Sequence, residues 1–149
     1  MYMYYEDLTV GKEFLTPGRT VTETDVVLFA SITGDNNPQH TDEHFCRQSI
    51  FGTRIAHGLL SLSIAQGLFQ RLGLTSSHAL AYMGISNCRF TAPVKLGDTV
   101  YCKAKVLDKK ESKKPDRGPV VFELLLYNER DELVLSSEHM ILIQKRGST

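Results

Sequence analysis

The stretch Gly58-Leu-Leu-Ser-Leu-Ser-Ile-Ala-Gln-Gly-Leu-Phe-Gln-Arg-Leu72 holds one cation near its end, no proline and no carboxylate. Fifteen such residues predict a helix of roughly 22 Å, apolar around most of its circumference. A helix of that kind is stable only when other structure covers it, and Gly73 supplies its stop. What can cover it follows in the chain. His78 to Thr91, Asp98 to Lys109, Val120 to Tyr127 and Glu132 to Gln144 are rich in β-branched and aromatic residues, and all read as strands. Lys109 to Pro119 is a polar loop between two of them, and Asn128-Glu-Arg-Asp131 is a shorter hairpin turn. One buried helix and four long antiparallel strands imply an α+β domain, a sheet wrapped around a central helix. Tyr4 to Thr20 is expected to add an edge strand.

Upstream of the helix the chain is more irregular. Thr22-Glu-Thr-Asp25 has the form of a capping box, apolar residues follow, and Gly34 closes a short helix. Thr41 and Asp42 begin another, expected to run to Gln48. Between them lies Gly34-Asp-Asn-Asn-Pro-Gln-His40, a turn in which Gly, Asn and Pro each favour chain reversal for a separate reason. The turn places Asp35 and His40 where both side chains can face one small volume. A carboxylate beside an imidazole can hold a water and exchange its proton, which is acid–base equipment. The plainer reading is a loop that only reverses the chain, with Asp35 capping the next turn.

Composition narrows the class. The chain has 149 residues, 42% hydrophobic and 23% charged, with 17 basic and 17 acidic side chains. That length corresponds to one domain, 1–149, able to bury about 70% of the surface exposed by the unfolded chain. Balanced charge provides no basic field for nucleic acid. The longest apolar run is interrupted by Ser61, Ser63 and Gln66, too short and polar for a membrane span. The N-terminal residues lack the basic and apolar regions of a signal peptide, and Cys46, Cys88 and Cys102 show no paired spacing. A cytoplasmic protein with reduced thiols is the expectation.

Three segments, in this order and at these separations, resemble the MaoC-like dehydratase family, which includes the R-specific enoyl-CoA hydratases. Gly34 to His40 resembles the family's Gly-Asp-x-Asn-Pro-x-His signature. Ile55-Ala-His-Gly-Leu59 matches the His-Gly pair that opens its central helix. Phe90-Thr-Ala-Pro-Val-Lys-Leu-Gly-Asp-Thr-Val100 matches its strand-turn-strand element. The resemblance implies the hot-dog fold, with a short-helix and loop segment that carries the active-site motif. It also implies a catalytic dyad of Asp35 and His40, with the Gly58 backbone N–H on the thioester oxygen. A helix N-terminus, with unpaired N–H groups and a positive dipole end, suits that last role on physical grounds as well. The activity implied is reversible hydration of trans-2-enoyl thioesters to (R)-3-hydroxyacyl thioesters, without cofactor or metal. The substrate would be an acyl-CoA, or an acyl group on a carrier protein, and the unit a homodimer. Asn37, His57, Ser63, Gln66 and Phe69 are the candidate substrate contacts. Phe69 would limit the acyl chain, with core packing as the alternative. The chain departs from the family at Gln39, usually aliphatic, at Glu43, often proline, and at Gln66, where some R-hydratases have an active-site serine.

Other readings stay open at this point. A hot-dog thioesterase usually needs a carboxylate on the central helix, and Gly58 to Leu72 has none. A non-catalytic thioester-binding module, or an accessory dehydratase-like subunit, is the third class. His40-x-x-x-His44 has metal-ligand spacing, but His40 belongs to the expected turn and not to one helix face. His57 reads as a structural histidine before it reads as a catalytic one. Cys46 lies six residues from His40 without an orienting third group. The run from Asp108 to Arg117 reads as a solvated hairpin loop, with phosphate contact as the sharper alternative.

Overall fold

The computed structural model describes residues 2–147; the terminal residues 1, 148 and 149 of the expected domain lie outside them. Capping decides the first helix. Thr22 accepts from the Asp25 backbone N–H while Asp25 reaches back to the Thr22 N–H, and α1 (Glu23–Thr33) ends at Gly34, left-handed at φ 77°. Two short helices follow, α2 (Pro38–Thr41) and α3 (Glu43–Arg47), and then the long α4 (Gly58–Arg71).

The sheet has six antiparallel strands: β1 (Glu13–Leu15), β2 (Arg19–Thr20), β3 (Ala79–Phe90), β4 (Thr99–Lys109), β5 (Arg117–Asn128) and β6 (Leu133–Gln144). Their order is β1-β4-β5-β6-β3, and β2 also pairs with β4. The expected N-terminal edge strand is thus present as two short pieces on one strand. The four long strands lie within a few residues of the expected ranges, except that Arg117 to Pro119 belong to β5 rather than to the loop before it. The register of β3 on β6 shifts at three places, and irregularities of this kind bend and twist a strand.

Alternation shows how the sheet is covered. Val100, Cys102, Ala104 and Val106 of β4 are buried, as are Val134, Ile141 and Ile143 of β6. Against β4 and β5 lies the inner arc of α4, formed by Leu60, Ile64, Ala65, Leu68 and Phe69, with the Phe69 and Phe122 rings 4.8 Å apart. The opposite arc of α4 is less covered than an all-round apolar helix predicts. Leu59 is 62% exposed, and Ser63, Gly67 and Gln70 are exposed with it. β3, the other sheet edge, exposes Leu80, Tyr82, Met83, Ile85 and Phe90. No helix among the described residues is long and apolar enough to cross a membrane.

Candidate active site

The turn after α1 is built by its own side chains. Asp35 Oδ1 accepts the Asn37 N–H at 3.3 Å, and Asn37 Oδ1 accepts the Gln39 N–H at 3.0 Å. Asn37 is therefore the N-cap of α2, with Pro38 in the first turn, where its missing N–H costs nothing. This one-turn helix corrects the expectation that His40 sits in a turn. α2 turns the His40 ring inward, where it is buried, while Asp35 stays exposed.

His40 is fixed from two sides. Its Nδ1–H donates to the Ile55 carbonyl at 2.7 Å, the only role open to a ring nitrogen facing a carbonyl oxygen, so in the neutral ring Nε2 carries the lone pair. The His57 ring stacks on it, with centroids 3.8 Å apart and planes at 29°. The Ile55 segment is itself clamped: its N–H bonds the Gln39 carbonyl at 3.1 Å, and the Ala56 N–H bonds Val94 at 2.7 Å. Glu43 adds a tether, accepting from Thr53 Oγ1 and Arg54 Nε at 2.9 Å each, while Arg54 also reaches Glu23. The hydrogen bond from Arg54 holds the Glu43 carboxyl below the usual carboxylate range. Glu43, off the family pattern, thus ties α3 to the chain that leads into α4, and Arg54 ties that chain to α1.

His57 is the N-cap of α4, yet its side chain does not cap the helix. The first N–H groups of α4 therefore lack a side-chain partner, the condition under which a helix start receives an anion. Gly58 lines an open hollow of about 450 Å³ together with His40, Ser61, Phe90, Pro93 and Val134. Phe90 and Val134 escaped the sequence reading. The only trace of Phe90 was its place at the head of the strand-turn-strand motif.

The remaining candidates are dispersed. Ser63 and Gln66 lie on the flank of α4 facing β3, in a second hollow of about 340 Å³ with Tyr82, Ile85 and His139. There Ser63 Oγ–H donates to the Leu59 carbonyl, and Gln66 Oε1 is buried without a partner among the described residues. Phe69 lines neither hollow; at 2% exposure it belongs to the core. Its direction on the helix decides this, since it points to the sheet with Ala65 and Leu68. His44 is exposed on α3, on a different helix from His40, so the two do not share a face. Cys46 is buried with Sγ on the Pro38 and Gln39 carbonyls, and burial raises its thiol. It braces α2 and has no orienting base. The loop after β4 adjoins Arg117, which pairs with Gln144, whereas Val134 at the hollow is ten residues back along β6, roughly 33 Å. Within one chain this basic run does not reach the site.

Asp35, His40 and His57 each offer a ligand atom within 4.8 Å of the others. The near-parallel rings direct their in-plane nitrogens side by side, and one nitrogen of each already faces a carbonyl. A tetrahedral ion needs converging lone pairs. The set suits proton transfer better than metal binding.

The match to the description "MaoC like domain" extends over residues 7–123, most of the chain. The chain belongs to the MaoC-like dehydratase family. The 3-hydroxybutyryl-CoA dehydratase of Methylorubrum extorquens is 34% identical over 144 residues, 97% of this chain and 86% of that one. The (R)-specific enoyl-CoA hydratase of Rhodospirillum rubrum is 34% identical over 144 residues, covering 97% and 94%. Protein MaoC of Klebsiella aerogenes is 41% identical over 113 residues, and the chain spans only 33% of its length. A solved structure from Archaeoglobus fulgidus, named a monoamine oxidase regulatory protein, superposes with a TM-score of 0.90 at 38% identity, over 97% of both chains. The fold is the hot-dog fold that neighbouring structures share.

Proposed function

We propose that this MaoC-like chain adds water reversibly to trans-2-enoyl thioesters, giving (R)-3-hydroxyacyl thioesters. One observation carries the reading: His40 and the uncapped start of α4 at Gly58 line one hollow, and the exposed Asp35 offers a carboxylate oxygen within 4.8 Å of a His40 ring nitrogen. Water held between Asp35 and His40 gives a proton to Nε2 as its oxygen adds to C3. The C2–C3 π pair moves toward the carbonyl, and the developing enolate oxygen meets the Gly58 N–H and the positive end of α4. His40 then returns the proton to C2, which closes the atom and charge balance.

Names of the relatives support an acyl-CoA substrate, with an acyl-carrier protein as the alternative carrier. The working unit in this reading is a cytoplasmic homodimer, because the exposed β3 edge and the bare arc of α4 call for a second copy. The test is a panel of enoyl-CoA thioesters followed by loss of conjugated-thioester absorbance, with chiral analysis of the product. An R product supports the reading; no turnover across the panel, or an S product, overturns it.

A further inference from the structure

His57 is 2% exposed, between the ring of Phe29 at 4.9 Å and that of His40 at 3.8 Å. Its Nε2 lies 3.0 Å from the backbone carbonyl of Asp35. A carbonyl only accepts, so Nε2 carries a proton, and in the neutral ring Nδ1 is left as a buried acceptor without a partner among the described residues. A histidine serving only the core would satisfy both nitrogens, and one serving as a helix cap would bond the α4 amides. This one does neither.

The Asp35 loop needs such a contact. Its other hydrogen bonds are local: Asp35 N–H to Thr33 Oγ1, Asn36 N–H to Gly34, Asn37 N–H to Asp35 Oδ1, and Thr41 Oγ1 to the Asn36 and Asn37 carbonyls. These bonds shape the loop without attaching it to the wall that carries Gly58. The His57 bond does attach it, from the residue directly before Gly58. We infer that His57 is a positioning residue that ties the Asp35 backbone to the start of α4, so that the Asp35 carboxylate, the His40 ring and the Gly58 N–H keep one spacing.

The inference rests on the hydratase reading for its catalytic consequence but not for its structural one. His57→Phe keeps a ring against His40 and Phe29 and removes the N–H. His57→Gln keeps an N–H able to reach the Asp35 carbonyl and removes the ring. Hydrogen–deuterium exchange of the 34–37 amides reads the tether whatever the chain catalyses. Exchange should quicken in His57→Phe and return toward the parent rate in His57→Gln. On an enoyl-CoA that the parent hydrates, kcat of His57→Phe should fall on the order of 10-fold, since small misplacement of a reacting group is costly. KM should stay within about twofold, and His57→Gln should recover most of the loss. In an Asp35→Asn background the His57→Phe loss should shrink to near nothing, because the tether acts through that carboxylate.

Parent-like exchange in His57→Phe overturns the tether, as does equal disturbance in both variants. An undiminished kcat loss in the Asp35→Asn background overturns its route through Asp35. A parent inactive on every thioester refutes the hydratase reading, while the exchange result still decides the tether.

Discussion

Phe90 occupies the space beside Gly58: a Cβ built on residue 58 would lie 3.0 Å from Cε1 of that ring. Any side chain at this position would crowd the ring, so contact rather than backbone angle favours glycine here. Gly58→Ala should therefore push the start of α4 off the ring and shift the N–H that faces the thioester oxygen. Turnover on an enoyl-CoA should fall about 10-fold or more, and Gly58→Ala/Phe90→Leu should recover part of it. Steady-state kinetics of the two variants checks this; a double variant no better than the single would remove Phe90 from the explanation.

Asp35→Asn and His40→Ala should each lower turnover by about 100-fold or more. Asp35 is exposed, so its variant should melt within a few degrees of the parent. His40→Ala also deletes the bond to the Ile55 carbonyl and should cost some stability. Unchanged turnover in either folded variant would take that residue out of the chemistry.

Phe69→Ala should act on stability and not on substrate choice. Truncating a fully buried Phe packed on Phe122 costs about 3–5 kcal/mol. The melting temperature should drop while the ratio of rates on short and long enoyl-CoAs stays put. A shifted chain-length profile would return Phe69 to the acyl path.

His139 should make the fold acid-sensitive. It is 1% exposed, with Tyr82 on Nδ1 and Ser137 Oγ 2.7 Å from Nε2, and burial pushes its pKa from the usual 6.5 down to about 4. Between those values the unfolded chain binds the proton and the folded one does not. The stabilisation is therefore present above pH 6.5 and is lost as pH falls toward 4. His139→Gln should flatten that part of the stability-versus-pH curve, measured by urea unfolding across the window. Parallel curves for parent and variant would refute the assignment.

A single chain should not be the active unit. Met83→Lys places a charge on the exposed β3 edge, and the parent should sediment as a dimer that this variant weakens, with activity lost in step. A fully active parent monomer at assay concentration would rule the dimer out.

The elements were legible where periodicity and capping spoke together. The Thr22–Asp25 box and Gly34 bound α1 to the residue, and the β-branched runs located β3 to β6. The four-residue α2 was not legible, because one turn is shorter than any helical period and its Asn-Pro start also reads as a turn. Contacts between segments were equally hidden: nothing local announces that His57 will stack on His40, 17 residues away, or that Phe90 will fill the space at Gly58. Gln66 and Phe69 illustrate a different limit. On a helix apolar most of the way round, composition does not tell which arc meets the sheet.

The pairing of β3 with β6 alone, Ala79 opposite Ile143 and Phe90 opposite Leu135, sets an order on folding. As the chain leaves the ribosome, the motif from Asp35 to Gly58 emerges long before the strand that anchors Phe90 behind it. Until β6 arrives, β3 is an unpaired, apolar ribbon, and Val134 is missing from the hollow. Nascent chains stopped before residue 133 would thus carry every residue of the proposed chemistry and no site, with a sticky edge for chaperones to shield.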